Sequence, residues 1–408
     1  MDIIVAERLG GAQFGKSTEI YKFEKIKRAK AEARKKYPHI PLIDMGVGEP
    51  DRPADPGIVQ ILAQEAGKPE NRWYADNGIP EFLEAAVQYL QQVYQVDGLN
   101  PAEHLLHGIG SKPILALLPL CLVNPGDITL TTSPGYPVIG TYTQYLGGKV
   151  YSLPLREEND FLPDLTAIPQ DILKKTKLFY VNYPNNPTGQ VATKAFFQDL
   201  VEFALQHKVI IVQDAAYAAL TYDGYQPLSF LSVEGAKEVG VEIHSLSKAF
   251  NMTGWRLAFL AGNAKIVKAY GVVKDNTDSG QFRAIQKAAI FALRHPQITE
   301  GICEKYSRRF DLLTRALNEL GFSARKPQAT FYCYVKCPSG TETGVRFQSA
   351  SDFSEFLLKE AVISTVPWDD AGQYIRFSVT FEAETIAQEQ AIVEEMKERM
   401  KRLKLVFD

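Results

Sequence analysis

The 408-residue sequence contains only four cysteines and lacks a pattern that would hold a metal ion or a set of disulfides. Cys333 and Cys337 are close together in the chain. No second cysteine pair and no histidine cluster accompanies them to complete a zinc site. We therefore expect reduced thiols in the core and no bound metal.

The sequence also lacks an excess of charge of either sign and long apolar runs. Lys and Arg total 45 against 48 Asp and Glu, so the net charge of −3 gives no general attraction to nucleic-acid phosphates or anionic lipids. No apolar run approaches membrane-spanning length, and the first residues lack the basic start, apolar stretch and cleavage site of a signal peptide. We expect a cytoplasmic protein with a small-molecule substrate and without nucleic-acid or membrane partners.

Short apolar or β-branched runs alternate with helical stretches between residues 50 and 275, at 127–132, 178–182, 209–214, 241–245 and 257–261. This alternation predicts an α/β fold with a mostly parallel sheet covered by helices on both faces. A long helical stretch (282–320), further short strands and a charged C-terminal helix follow, which predicts a smaller α+β domain. We expect an N-terminal segment (1–49) that joins the small domain, a large domain (50–275) and a small domain (276–408).

Lys248 is the strongest candidate for covalent chemistry. It closes the segment Ser245-Leu246-Ser247-Lys248, which follows a strand-like run, and Arg256 lies eight residues further on. A single lysine is usually a plain surface charge. Here two hydroxyls and a guanidinium suit a phosphate-bearing ligand beside a reactive amine, and neighbouring cations help a lysine lose its proton.

Two polar residues follow other predicted strands. Asp214 ends the run 209–214 and Tyr217 comes three residues later, while Asn186 lies in the turn 183–189. Ligand crevices in α/β sheets form at the carboxyl ends of parallel strands. Asp214 could instead only cap the next helix, and the prolines and glycine of the turn could have a purely structural role.

The segment Gly108–Pro113 places a glycine turn before a predicted helix, whose free N–H groups can bind phosphate. Pro113 occupies the position of the last glycine of a dinucleotide fingerprint, which argues against a nicotinamide dehydrogenase, and the segment has no Walker ending. Tyr136 lies in a turn that could aim its ring at a planar cofactor, with turn or core packing as the alternative. Arg376 lies in an alternating strand, where it either faces solvent or binds a substrate carboxylate.

Together and in this order, these motifs resemble the class I and II aminotransferases of fold type I over nearly the whole chain. The resemblance implies a pyridoxal 5′-phosphate cofactor, a large domain with a mostly parallel seven-stranded sheet, and a homodimer with shared active sites. It implies that Lys248 forms the Schiff base and transfers the proton. It assigns the other cofactor contacts to Asp214 at the pyridine nitrogen, Tyr217 and Asn186 at the ring hydroxyl, Tyr136 on the ring face, and Ser111, Lys112, Ser245, Ser247 and Arg256 at the phosphate.

The resemblance also implies substrate contacts. Arg376 would bind the substrate α-carboxylate, with Asn186 beside it, and Tyr74 would reach the phosphate in the neighbouring subunit. Within the family, the chain resembles the LL-diaminopimelate aminotransferases at Ser111-Lys112 and at three positions implied to contact substrate: Tyr21, Gly48 and Asn276, the last in the partner's site. The implied reaction is transamination between LL-diaminopimelate and 2-oxoglutarate, directed in the cell toward LL-diaminopimelate.

An aspartate or aromatic aminotransferase on the same fold is the alternative. Glu49-Pro50-Asp51 resembles the general aminotransferases, and a second arginine aimed at a distal carboxylate, for which Arg283 is available, would favour aspartate. A regulator that uses the pocket only for binding is disfavoured because the sequence has no separate DNA-binding module or basic patch.

Overall fold

The computed structural model of the chain describes residues 3–15 and 22–407. The helices are α1 (Lys22–Lys36), α2 (Pro56–Ala66), α3 (Pro80–Tyr94), α4 (Pro101–His104), α5 (Ser111–Leu122), α6 (Val138–Tyr145), α7 (Gln170–Leu173), α8 (Lys194–His207), α9 (Ala236–Val239), α10 (Leu246–Ala249), α11 (Ala264–Lys274), α12 (Arg283–Arg294), α13 (Ile298–Glu319), α14 (Ala350–Glu360) and α15 (Ile386–Lys401).

The strands are β1 (Ile43–Asp44), β2 (Leu105–Gly108), β3 (Ile128–Ser133), β4 (Lys149–Pro154), β5 (Thr176–Asn182), β6 (Ile210–Asp214), β7 (Gly240–Ser245), β8 (Ala258–Gly262), β9 (Tyr332–Lys336), β10 (Gly340–Thr341), β11 (Ile363–Ser364), β12 (Val366–Trp368), β13 (Tyr374–Ser378) and β14 (Leu405–Val406).

A seven-stranded sheet of order β2-β8-β7-β6-β5-β3-β4 forms the centre of the fold. In this order, the adjacent strands β7, β6, β5, β3 and β4 are all parallel. Strand β8 runs antiparallel to both β7 and β2. The predicted mostly parallel sheet is therefore confirmed. Because β5, β6 and β7 are parallel neighbours, their last residues, Asn182, Asp214 and Ser245, lie at one edge of the sheet.

Apolar side chains cover both faces of this sheet. Phe179 and Ile211 face a core formed with α2, α3, α8 and α12, and Tyr180 and Val212 face a second core formed with α5, α6 and α11. A strand buried on both faces reads as a continuous apolar run. This pattern made the strands visible in the sequence.

A smaller α+β region follows the large sheet. Antiparallel strands β12-β13-β9 pack with α13, α14 and α15 around a separate core that contains Phe310, Phe353 and Phe377. Near the N-terminus, β1 pairs in parallel with β11, so that Ile43 lies opposite Ile363.

The helical stretch expected at 282–320 consists of two helices separated by a short break. Helix α12 ends at Arg294 and α13 begins at Ile298. Pro296 lies between them, and proline has no N–H to continue a helix. The break lets α12 pack against α2 and α3, while α13 packs in the core of the smaller region.

Side-chain caps mark several helix starts. Asp55 accepts a hydrogen bond from Gly57 N at the start of α2, and Thr385 and Gln388 form a capping box at the start of α15. Such caps satisfy N–H groups that the helix itself leaves free. No helix in the described ranges is long and apolar enough to cross a membrane.

Candidate active site

A cleft of about 430 Å³ opens at the carboxyl edge of the large sheet, where the smaller region closes over it. The predicted residues that line it are Gly48, Ser111, Lys112, Tyr136, Asn186, Asp214, Tyr217, Ser245, Ser247, Lys248, Arg256 and Arg376. These residues are far apart in sequence and come from both parts of the fold. Their convergence gives the volume and mixed polarity of a small-molecule site.

Lys248 reaches the cleft from α10, a single turn that directly follows β7. Ser245 starts this turn, and its Oγ accepts a hydrogen bond of 3.1 Å from Ser247 N. The Lys248 Nζ donates to the main-chain oxygen of Gly48 at 2.8 Å. Burial lowers the pKa of Lys248 to about 8, with a smaller lowering from Arg256 and Arg376 and an opposing effect of Glu49. Burial is the larger cause of the lowered pKa, although only the neighbouring cations could be identified from the sequence.

Asp214 lies at the end of β6 and is only 6% exposed. Its carboxylate accepts hydrogen bonds from Tyr180 OH at 3.2 Å and from Ala216 N at 3.2 Å. Burial raises the pKa of Asp214 to about 6, against the lowering effect of these bonds and of His244. The site therefore holds a carboxylate whose charge is only partly compensated by the protein.

Asn182 connects the neighbouring strand ends and was not predicted as a site residue. Its Nδ2 donates to the Asp214 main-chain oxygen at 2.8 Å, and its Oδ1 accepts from Asn186 N at 2.9 Å. A polar residue that ends a buried strand was the signal that could have identified it, since the same signal identified Asp214.

The loop before α5 forms one end of the cleft. Gly110 has φ +80°, and a Cβ at this position would collide with the guanidinium of Arg256. Ser111 Oγ is buried and has no hydrogen-bond partner within the described part of the chain. Lys112 Nζ lies 5.8 Å from the ring centre of Tyr136. This end of the cleft thus combines the N-terminus of α5, the unpaired Ser111 hydroxyl and the cations Lys112 and Arg256, as an anion site requires.

Arg376 on β13 forms the opposite end of the cleft. It is 2% exposed, and its guanidinium lies 3.9 Å from the ring centre of Tyr332. Nη1 donates to Asn186 Oδ1 at 2.8 Å and Nη2 to the Gly46 main-chain oxygen at 3.3 Å. The contacts fix a guanidinium whose Nε has no partner among residues 3–15 and 22–407.

Tyr217 and Tyr332 join the two parts of the cleft, because their hydroxyl groups lie 3.2 Å apart. Burial raises the pKa of Tyr217 well above its ordinary value, so Tyr217 is a neutral hydrogen-bonding group. Tyr332 and Glu49 line the cleft and were not predicted. Tyr332 lies in a strand-like run with no glycine or charge pattern around it, so the sequence held no signal for it.

Two predicted residues, Tyr74 and Asn276, do not line this cleft. Tyr21 lies outside the described residues. Tyr74 is 76% exposed. Asn276 is also exposed, and its Nδ2 donates to Val272 O. Arg283, considered for a distal carboxylate, donates through Nη2 to the Tyr74 main-chain oxygen at 2.7 Å and does not line the cleft.

Comparisons with known proteins agree with this geometry. The family model described as aminotransferase class I and II matches residues 40–389. The LL-diaminopimelate aminotransferase of Methanocaldococcus jannaschii is 57% identical over 413 residues, covering 99% of this chain and 98% of that protein. The enzyme of the same name from Methanococcus maripaludis is 54% identical over 410 residues, covering 99% and 98%.

The solved structure of substrate-bound BacF from Bacillus subtilis is similar with a TM-score of 0.89 at 33% identity, covering 100% of this chain and 99% of that one. The family model spans most of the chain, and both sequence relatives match it almost end to end. The chain therefore belongs to the class I and II aminotransferases, and its cofactor is pyridoxal phosphate.

Proposed function

We propose that the chain transfers an amino group between LL-diaminopimelate and 2-oxoglutarate, and that in the cell it works toward LL-diaminopimelate, a precursor for lysine and cell-wall synthesis. The observation that carries this proposal is the 57% identity, over 99% of the chain, to a relative named for that reaction. The solved aspartate aminotransferase of Thermus thermophilus is 25% identical, so aspartate is the weaker candidate substrate.

The cleft residues fit pyridoxal phosphate in three respects. Ser111 Oγ is buried without a partner where a phosphate oxygen would accept its hydrogen bond. Gly110 has no Cβ, so the Arg256 guanidinium can pack directly against the loop that precedes α5. Asp214 is a buried carboxylate that would gain a cationic partner in a protonated pyridine nitrogen. When bound, the cofactor supplies a carbonyl carbon for amines and a ring that withdraws electrons from the substrate Cα.

Lys248 would act first as the nucleophilic amine and then as the group that moves the Cα proton. An amine with a pKa of about 8 is partly neutral near physiological pH, which both roles require. The hydrogen bond to Gly48 O keeps Nζ in the cleft rather than in solvent. Because the same residue can take up and release the proton, no histidine is needed.

Arg376 would orient the amino-acid substrate. Tyr332 and Gly46 fix its guanidinium, and a bound carboxylate could accept from the unpaired Nε together with one Nη group. Asn186 accepts from Arg376 through Oδ1, so its amide N–H groups are free to donate toward the cofactor ring hydroxyl or the substrate. This arrangement would align the Cα–H bond with Lys248.

We also propose a homodimer in which Tyr74 and Asn276 reach the partner's active site. The loops that carry them adjoin, since Asp76 N donates to Ser279 O at 3.1 Å and Lys274 Nζ donates to Asp76 O at 2.6 Å. Large apolar side chains are exposed on the same two segments, at Trp73, Tyr74, Val272 and Phe282. Such a patch is typical of an interface.

Analytical ultracentrifugation tests the dimer by comparing the molecular mass in solution of the Trp73→Asp variant with that of the wild type. A charge in a buried interface should shift the mass toward the monomer, whereas an unchanged mass would contradict this placement of the interface.

The substrate is tested by initial rates with 2-oxoglutarate as acceptor. LL-diaminopimelate should give the highest kcat/KM, ahead of its meso isomer, aspartate and tyrosine. Faster turnover of aspartate or tyrosine would overturn the proposed substrate and leave the family assignment intact. Lys248→Ala serves as the control, since borohydride should fix cofactor only to the protein that retains Lys248.

A further inference from the structure

Arg256 has a main-chain conformation that is unusual for a residue other than glycine. Its φ of 56° and ψ of 57° lie in the left-handed region, which residues other than glycine rarely adopt. The side chain is also fixed, because Nη1 donates to Thr253 O at 2.7 Å and the guanidinium lies against Gly110. Something nearby has to stabilise this backbone conformation for the guanidinium to stay at its end of the cleft.

The side-chain amide of Gln281 makes the stabilising contact. Its Nε2 donates to Trp255 O at 2.7 Å and to Arg256 O at 2.9 Å. One amide group thus binds the carbonyl oxygens of two successive residues, the second of which is the left-handed one. Gln281 itself does not line the cleft.

Gln281 is in turn held from two sides. Its main-chain N–H donates to His107 Nε2 at 3.0 Å, and its main-chain oxygen accepts from Gln286 Nε2 at 2.8 Å. Both partners are fully buried. Burial and the nearby Lys274 lower the pKa of His107 to about 3, so its Nε2 is an acceptor throughout the physiological pH range.

We propose that Gln281 is a positioning residue for cofactor binding, which keeps the Arg256 guanidinium in place for the phosphate group of pyridoxal phosphate. The inference rests on the family's cofactor and on the phosphate role proposed for Arg256. It is independent of the amino-acid substrate. Gln281 acts through Arg256 and touches neither the cofactor nor the substrate.

The test compares two probes that differ only in the phosphate, pyridoxal phosphate and pyridoxal, in equilibrium titrations of the cofactor-free protein. Gln281→Met keeps a similar volume and removes both donors. The loss of two hydrogen bonds should raise the Kd of pyridoxal phosphate about tenfold and leave that of pyridoxal unchanged. The ratio of the two constants cancels the common reaction at Lys248.

Asn263→Ala is the matched control. Asn263 Nδ2 also binds two successive carbonyl oxygens, those of Lys237 at 3.3 Å and Glu238 at 2.9 Å, but at the far end of β8. This variant should lower thermal stability and leave the ratio of the two constants unchanged. If Gln281→Met does not fold, Gln281→Asn retains the amide, is too short to reach both oxygens, and should change the ratio in the same direction.

The outcomes distinguish the positioning role of Gln281 from the phosphate-binding role of Arg256. A Gln281 variant that weakens both probes equally, or neither, would show a merely structural role and overturn the inference. Arg256→Ala provides the reference. If it leaves the ratio unchanged, the phosphate role of Arg256 is wrong and the inference falls with it, whereas the proposed amino-acid substrate is untouched.

Discussion

Replacing Asp214 with asparagine should stabilise the cofactor-free protein. Burial raises the pKa of Asp214 to about 6 from an ordinary value of 3.8, so the folded site disfavours the charged carboxylate. A difference of about 2 pKa units corresponds to about 3 kcal/mol. Asparagine has the same shape, and its oxygen can still accept from Ala216 N while its amide donates to Tyr180 OH. We therefore expect a gain of up to about 3 kcal/mol at pH 7.5.

The gain should depend on pH in a defined direction. Because the folded-state pKa is raised, the carboxyl group contributes no penalty below about pH 4. The penalty develops as the pH rises from about 4 to about 6, and it stays constant above that range. The advantage of Asp214→Asn should therefore be absent at pH 4 and complete at pH 7.

Chemical denaturation of the cofactor-free proteins between pH 4 and 8 measures this difference. Asp199→Asn, at an exposed position on α8, should change stability by less than about 0.5 kcal/mol. With pyridoxal phosphate present, the order of stability should reverse, because the proposed ion pair with the pyridine nitrogen needs the Asp214 carboxylate. No gain in stability for Asp214→Asn at pH 7.5, or an equal gain at pH 4, would contradict this effect of burial on Asp214.

Three further predictions concern the cleft and its support. Trapping of pyridoxal phosphate by borohydride in the cofactor-free protein should rise with pH, with a midpoint near pH 8, the pKa to which burial lowers Lys248. Acetyl-lysine is the reference for a free amine, and a midpoint near pH 10.5 for the protein would contradict the lowered pKa. Arg376→Lys should raise KM for 2-oxoglutarate about tenfold to a hundredfold, since an ammonium cannot bind a carboxylate through two parallel donors; an unchanged KM in steady-state assays would argue against the carboxylate role. Arg309 is fully buried between Asp51 and Glu389, at 3.0 and 2.9 Å. Arg309→Met should cost about 3–5 kcal/mol in denaturant unfolding, because it leaves buried carboxylates short of a partner, and a loss below about 1 kcal/mol would refute that estimate.

The large sheet could be predicted because its strands are buried on both faces. The run predicted at 209–214 is β6 at 210–214, and the run at 241–245 is β7 at 240–245. These strands are mainly apolar, as burial on both faces favours, although Gln213 in β6 and Glu242 and His244 in β7 are buried polar residues. Because Asp214 ends one predicted strand and Lys248 follows another, the sequence could place both at the carboxyl edge of the sheet.

The contribution of the smaller region to the cleft was harder to predict from the sequence. Arg376 could be proposed from the family resemblance, but Tyr332, which stacks on it, follows no local pattern. Its place in the cleft results from the packing of β9 beside β13, which joins residues distant in sequence. The lowered pKa of Lys248 also depends mainly on burial, which a sequence of neighbouring residues does not reveal.

The pairing of β1 with β11 has a consequence for how the protein is made. Ile43 leaves the ribosome early, whereas its strand partner Ile363 emerges when most of the chain is already synthesised. The strands of the large sheet lie between Leu105 and Gly262, so that sheet can form while translation continues. Gly46 and Gly48, which follow β1 and offer their carbonyl oxygens to Arg376 and Lys248, have to wait. The side of the cleft formed by Gly46, Gly48 and Arg376 can therefore be completed only after the strands of the large sheet have been synthesised.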